Sequence, residues 1–210
     1  MRSSAAEMTD MSNNAPSPRL PAARRRRQLL DVALRVFAEQ GFHPTSMNEI
    51  AEAAGVTKPV LYQHFASKRE LYLELLEDVG GQLRDAIAKA TAAANTAREQ
   101  VSAGFGAYFR FVADHQAAFQ LLFGGGTRRD LEFADAVRAV EVSIADIVAT
   151  LIEIPGLDVE RRRLLAHGIV GLAEGTSRHW VLDGAPGDPD TLAAQVAELA
   201  WAGLRGVRSA

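Results

Sequence analysis

The sequence predicts an all-α protein of about nine helices, on three observations. From Pro21 onward, apolar residues recur at helical three- and four-residue intervals. No stretch alternates with a period of two between turn signals, as a half-buried strand would. Ser or Thr followed three residues later by Glu stands where helices would start, and Gly stands where they would stop.

The first helix is predicted over Pro21–Gln40, with Leu29, Val32, Ala33, Val36 and Phe37 on one face and Gly41 at the left-handed position after its end. Ser46 and Glu49 form a capping box that opens a short second helix, whose apolar face is Ile50, Ala53 and Ala54 and whose stop is Gly55. Thr57 is placed to cap a third helix, Lys58–His64, with Pro59 in the first turn, where its missing N–H leaves no bond unmade. A second capping box, Ser67 to Glu70, opens a fourth helix from Lys68 to about Ala94, roughly 40 Å long. Gly80-Gly81 inside it predicts a break or hinge, since each Gly costs about 1 kcal/mol relative to Ala there. The remaining helices are predicted at Thr96–Asp114, Gln116–Phe123, Asp130–Glu153, Val159–Leu182 and Pro189–Leu204. They are separated by Gly124-Gly125-Gly126, Pro155-Gly156 and the run Gly184 to Asp188.

Composition sets the outer bounds. The chain has 210 residues, 48% of them hydrophobic and 23% charged, with a mean hydropathy of −0.04. These values fit a soluble globular protein with a real core. With no cysteine, disulfide scaffolds, thiolate metal sites and thiol nucleophiles are excluded, and a cytoplasmic location is the expectation. The first twenty residues, rich in Ser, Ala, Asn and Pro, are expected to form a disordered tail. No later run reaches the length of a membrane span. Residues 1–75 hold ten basic against eight acidic residues, while the rest hold thirteen against eighteen. Only the N-terminal part is therefore suited to face a polyanion.

The two short helices joined at Ala54-Gly55-Val56-Thr57 have the order of a helix-turn-helix, although any αα-corner has the same topology. The second helix puts hydrogen-bonding groups on Thr57, Lys58, Tyr62 and His64 while keeping Leu61 and Phe65 for its inner side. Ser46, Ser67 and Lys68 stand at adjacent helix starts, where backbone N–H groups attract phosphate. The run Arg24, Arg25, Arg26, Arg27 is either a solvated arm or a phosphate or minor-groove contact.

Thr45 to Ala51, Ala54 to Phe65, Ser67-Lys68 and Glu70-Leu71 resemble the N-terminal signature of TetR-family transcriptional regulators. The resemblance runs from about Arg24 to Leu75. It implies a helix-turn-helix DNA-binding domain over 21–75 and an effector-binding and dimerisation domain over 76–210. It implies that Thr57, Lys58, Tyr62 and His64 touch DNA and that Lys68 binds phosphate. It further implies a homodimer on a pseudo-palindromic double-stranded operator, with recognition helices about 34–36 Å apart. Whether such a protein represses or activates depends on where the operator lies relative to a promoter.

Two more faces acquire meaning through that resemblance. Gly168, Gly171 and Gly175 on the eighth helix, with Ala193, Val196, Ala197, Ala200 and Leu204 on the ninth, form small-residue stripes. These fit either a four-helix dimer interface or packing within one chain. Phe105, Tyr108, Phe109, Phe111, Phe119 and Phe123 form an aromatic cluster that is either plain core or the wall of a hydrophobic effector pocket. Arg19-Leu20-Pro21, Lys58 to Phe65, Glu70 to Leu73, Gly168 to Gly171 and Arg178-His179-Trp180 are similar to the actinobacterial regulators of fatty acid synthesis that respond to long-chain acyl-CoA. That implies an acyl tunnel lined by the aromatics and Trp180, with Arg178 or Arg128-Arg129 at the head group.

Catalytic and cofactor chemistry have little to rest on. His167 and His179 are twelve residues apart, about 120° around one helix, so no metal is expected. No phosphate loop, nucleophile triad or dinucleotide signature is present. An all-α enzyme and a helical interaction module without DNA affinity are the alternatives to a regulator.

Overall fold

The computed structural model describes residues 21–123 and 130–207. The expected tail over 1–20, the triple glycine and Arg128-Arg129 lie outside the described residues. Within them the chain is all-α: α1 Ala22–Gln40, α2 Met47–Ala53, α3 Lys58–Tyr62, α4 Lys68–Ala92, α5 Ala97–Asp114, α6 Gln116–Phe123, α7 Leu131–Leu151, α8 Val159–Leu182 and α9 Pro189–Gly206. None of these helices is long and apolar enough to cross a membrane.

Caps set the starts. Ser46 Oγ accepts from the Glu49 N–H at 3.2 Å, and the Glu49 carboxylate accepts from the Ser46 N–H at 2.7 Å, the full reciprocal box. The box predicted at α4 is only half made. Ser67 Oγ accepts from the Glu70 N–H at 3.0 Å, but the Glu70 carboxylate takes the N–H of Ala66 instead, at 2.7 Å. Thr57 holds the position before α3 without a side-chain cap bond, which leaves its hydroxyl on the surface. Thr96 and Glu99 make a second complete box, and Asp130, Asp158 and Asp188 cap α7, α8 and α9. Gly41 and Gly55 take φ of +84° and +65°, conformations L side chains rarely adopt.

Helices α1 to α3 fold into a head around Leu29, Ala33, Phe37, Ile50, Leu61 and Phe65, completed by Leu71 and Leu75 from the first turns of α4. Helix α4 then continues into the body. There α5 lies between α4 and α9, α7 packs on α4 and α8, and α6 rests back on α1. The expected break at Gly80-Gly81 is absent, and α4 is continuous through both. The reason is close packing: a Cβ on Gly80 would lie 2.2 Å from Cγ2 of Val140 on α7. Gly80 is therefore a site of close approach between α4 and α7. Gly80→Ala should lower stability by about 1–3 kcal/mol through overpacking. Adding Val140→Ala should recover most of that loss, both read from urea unfolding.

Candidate nucleic-acid interface and cavity

The head presents a small set of polar groups to solvent. Gly55 turns the chain between α2 and α3, and the Val56 N–H closes the turn on the Ala51 carbonyl at 2.9 Å. Thr57, Lys58 and Tyr62 are then exposed, Tyr62 at 43%, while Leu61 and Phe65 are buried beneath them. Lys58 Nζ lies 5.9 Å from the Tyr62 ring centre. His64, expected in the third helix, stands just past its end and is half-buried. Ser46 is exposed but engaged in its cap, and its hydrogen bonds, side chain first, hold the Glu49 carboxyl below the usual carboxylate range.

The basic run divides by partner. Arg24 is exposed, and Arg25 is half-buried and donates to Gln28 at 2.6 Å. Arg26 is a strut. Its guanidinium pairs bidentately with Glu74, donates to the His64 carbonyl at 2.5 Å and lies 4.4 Å from the Phe65 ring centre. Arg27 is held by Asp78 at 2.8 Å and by Asp31 at 3.0 Å. Lys68 also works inward: its ammonium donates to the carbonyls of Phe42 and Thr45 at 2.7 Å and of His43 at 3.2 Å. Three protons are thus committed to the loop before α2, and desolvation pulls the Lys68 pKa down.

The head is clamped to α7. Arg69, in the first turn of α4, is bound by both oxygens of Asp130 at 2.8 and 3.0 Å and by Glu132. These hydrogen bonds raise the Arg69 pKa and hold the Asp130 carboxyl below its ordinary range. Beneath this clamp, Phe133 lies 4.5 Å from Tyr72 and 4.7 Å from Phe42, ring centre to ring centre, with the Arg69 guanidinium 4.7 Å away.

A cavity of about 340 Å³ opens between α4, α5, α7, α8 and α9. Of the expected ligand residues, Phe105, Tyr108 and Phe123 line it. Phe109, Phe119, Arg178 and Trp180 do not. Phe109 is fully buried and meets Trp180 edge-on, Trp180 donates its ring N–H to the Pro186 carbonyl at 2.8 Å, and Phe119 packs on Phe123. Arg178 is turned to Glu174 on its own helix. The lining also takes Ile87 and Thr91 from α4, Val140, Glu141, Ile144 and Val148 from α7, and Ile169, Ala173 and Glu174 from α8. The four-residue spacing of Val140, Ile144 and Val148 is the sequence signal for the α7 wall. Deep in the site the Tyr108 hydroxyl and Ser177 Oγ are 3.0 Å apart, and burial pushes the phenol pKa up.

The two small-residue stripes part company. Gly168, Gly171 and Gly175 are exposed, and a Cβ added to any of them would meet nothing within 4 Å. Ala193, Val196, Ala197 and Ala200 are buried inside the chain, where α9 packs on α5, and Leu204 is half-buried on the cavity. The α9 stripe expected at a dimer interface is thus consumed by intrachain packing. Exposed apolar area lies instead at Leu164 (72%) on α8 and Leu199 (63%) on α9.

Residues 29–75 match the family model described as bacterial regulatory proteins, tetR family, and residues 97–203 match that of the tetracyclin repressor-like C-terminal domain. The HTH-type transcriptional activator FasR of Mycolicibacterium smegmatis is 34% identical over 199 residues, covering 94% of this chain and 91% of that protein. The fatty acid metabolism regulator protein of Bacillus subtilis is 27% identical over 188 residues, covering 84% and 94%. A TetR-like transcriptional regulator from Rhodococcus sp. RHA1 superposes with a TM-score of 0.74 at 31% identity, covering 90% of this chain and 100% of that one.

Proposed function

The chain belongs to the TetR family of transcriptional regulators, and from that premise we propose that it binds a pseudo-palindromic operator as a homodimer, with DNA affinity set by a long-chain acyl effector such as an acyl-CoA. The observation that carries this reading is an apolar cavity whose walls are the same helices that hold the head. Helix α4 gives Ile87 and Thr91 to the cavity, and Lys68 and Arg69 to the head and its clamp. Helix α7 gives Val140, Ile144 and Val148 to the cavity, and Phe133 to the junction, with its cap Asp130. A ligand that fits one spacing of α4 and α7 better than another shifts the population of head positions by that difference in affinity.

Thr57, Lys58 and Tyr62 are the groups assigned to base edges, with Ser46, His64, Arg24 and Arg25 toward the backbone. Arg26 and Lys68 brace the head from within, and Arg27 is tied at its surface to Asp78 and Asp31. The dimer face is assigned to the glycine side of α8 with Leu164 and Leu199, where a second chain can approach closely. The acyl class is supported by the apolar lining and by the names of two relatives, one an activator called FasR and one a fatty acid metabolism regulator.

Fluorescence anisotropy on duplexes tiled across the DNA flanking the gene, over a salt series, tests both halves. One tile should bind selectively, its log affinity falling linearly with log salt by about 0.9 per phosphate neutralised. Saturating long-chain acyl-CoA should change that affinity. Selective binding that ignores acyl-CoA would remove the effector assignment, and the absence of a selective tile would remove the operator assignment.

A further inference from the structure

With the head taken as the DNA-binding face, as proposed above, its cations are tied in two different ways. The partners of Arg26, Arg27 and Lys68 all lie between residues 31 and 78, on α1, the loop after it, the segment leading into α4 and the first three turns of α4. These ties hold wherever the rest of the body sits. Arg69 is tied across the molecule instead. Both oxygens of Asp130 and the carboxylate of Glu132 receive its guanidinium, and these partners, with the Phe133 ring beside them, stand at the start of α7. The position of α7 therefore decides whether this cation is held.

The hold is of a kind that DNA can replace. A carboxylate and a phosphate both offer paired oxygens to the guanidinium fork. The Arg69 side chain remains 42% exposed within the clamp, and ion pairs this open to water are weakly held. Arg69 also borders open space. With Ser67, Glu70 and Glu132 it lines a groove of about 1020 Å³ between α4 and α7. It stands two residues after Ser67 and seven after Tyr62, at the corner where α3 gives way to α4. Glu70, the adjacent carboxylate on its own helix, is already engaged by the Ala66 N–H at 2.7 Å. In the closed clamp one guanidinium faces two carboxylates, so this corner repels a phosphate more than it attracts one.

We propose that Arg69 is a latent contact to the DNA backbone, and that Asp130 and Glu132 occupy its guanidinium in place of a phosphate. A displacement that carries the start of α7 away from α4 frees one cation per head for the backbone, and a displacement that closes the clamp withholds it. The contact adds affinity without sequence preference, because phosphates carry no base identity.

Fluorescence anisotropy on a mixed-sequence duplex of about thirty base pairs, over a salt series, reads this contact without the operator or an effector. Asp130→Asn with Glu132→Gln removes both negative charges, while asparagine keeps the N-cap of α7. That double variant should bind at least about tenfold more tightly than the parent at about 0.1 M salt, and its plot of log affinity against log salt should steepen by about 0.9 for each head engaged. Adding Arg69→Gln should bring affinity back to within about twofold of the parent and restore the parent's slope. Glu132→Gln alone changes an exposed side chain, so it keeps the fold and should move affinity and slope in the same direction by a smaller amount. An unchanged slope in both clamp variants would overturn the proposal. So would a gain that survives Arg69→Gln, since it would come from the loss of negative charge alone. Failure of parent and variants alike to bind the duplex at low salt would remove the DNA-binding reading itself, and the latent contact with it.

Discussion

Replacing Phe133 by alanine should lower stability by about 3–5 kcal/mol and the melting temperature by roughly 6–20 °C. The ring is 1% exposed, and it fills the junction of three separate pieces of chain: Phe42 after α1, Tyr72 on α4 and the first turn of α7. Alanine would leave that space empty between elements whose spacing the Arg69 clamp fixes, so collapse around it is restricted. The same substitution has a second readout. At a temperature where the variant is still folded, its operator affinity should respond less to acyl-CoA than that of the parent, because α7 has lost its apolar hold on the head. Phe133→Leu, which keeps most of the buried area, should restore much of both properties. An unchanged melting temperature for Phe133→Ala would refute the packing role, and a full effector response would refute the coupling role.

Tyr62→Ala is the expected extreme of the other kind, a variant that loses DNA and keeps its fold. The side chain stands 43% exposed at the end of α3, so its removal costs little folding free energy. Taking one base-edge interaction away from each head should cost about 1–3 kcal/mol per head, and a dimer has two heads. Lys68→Ala is the informative contrast. Its ammonium serves three backbone carbonyls of the loop before α2, so its removal should appear in the unfolding transition. Parallel melting and anisotropy measurements separate the two. If Tyr62→Ala binds the operator as tightly as the parent, α3 is not docked by this face.

Helix boundaries are legible in the sequence because their causes are local. Ser46 and Glu49, Ser67, Gly41 and Gly55 act within a few residues of themselves, and the ends they mark are those of the folded helices. What stays hidden depends on neighbours distant in the chain. A glycine pair inside a helix reads as a weak point, and only the approach of Val140, sixty residues away, turns Gly80 into a packing site. Periodicity correctly puts Ala193, Val196, Ala197 and Ala200 on one face of α9, but it carries no information on whether α5 or a second chain covers that face. The aromatic cluster shows the same ambiguity. Phe105 and Phe109 are one turn apart, yet one lines the cavity and the other is sealed in core. The basic residues of the head are visible in the sequence without their partners, because Glu74, Asp78 and the carbonyls of the α1–α2 loop are brought to them only by the tertiary fold.

Arg26 also bears on the order in which the protein is made. Its partners, the His64 carbonyl and the Glu74 carboxylate, lie 38 and 48 residues further along the chain, and Asp78, the partner of Arg27, lies 51 residues on. On a chain growing from its N-terminus, all three helices of the head leave the ribosome before the carboxylates that fasten the first of them. The head therefore becomes a closed unit only once the third turn of α4 has emerged. Helix α4 is thus the last piece of the head to be synthesised and the first of the body, whereas Asp130 and Glu132, which clamp the head through Arg69, emerge only about sixty residues later.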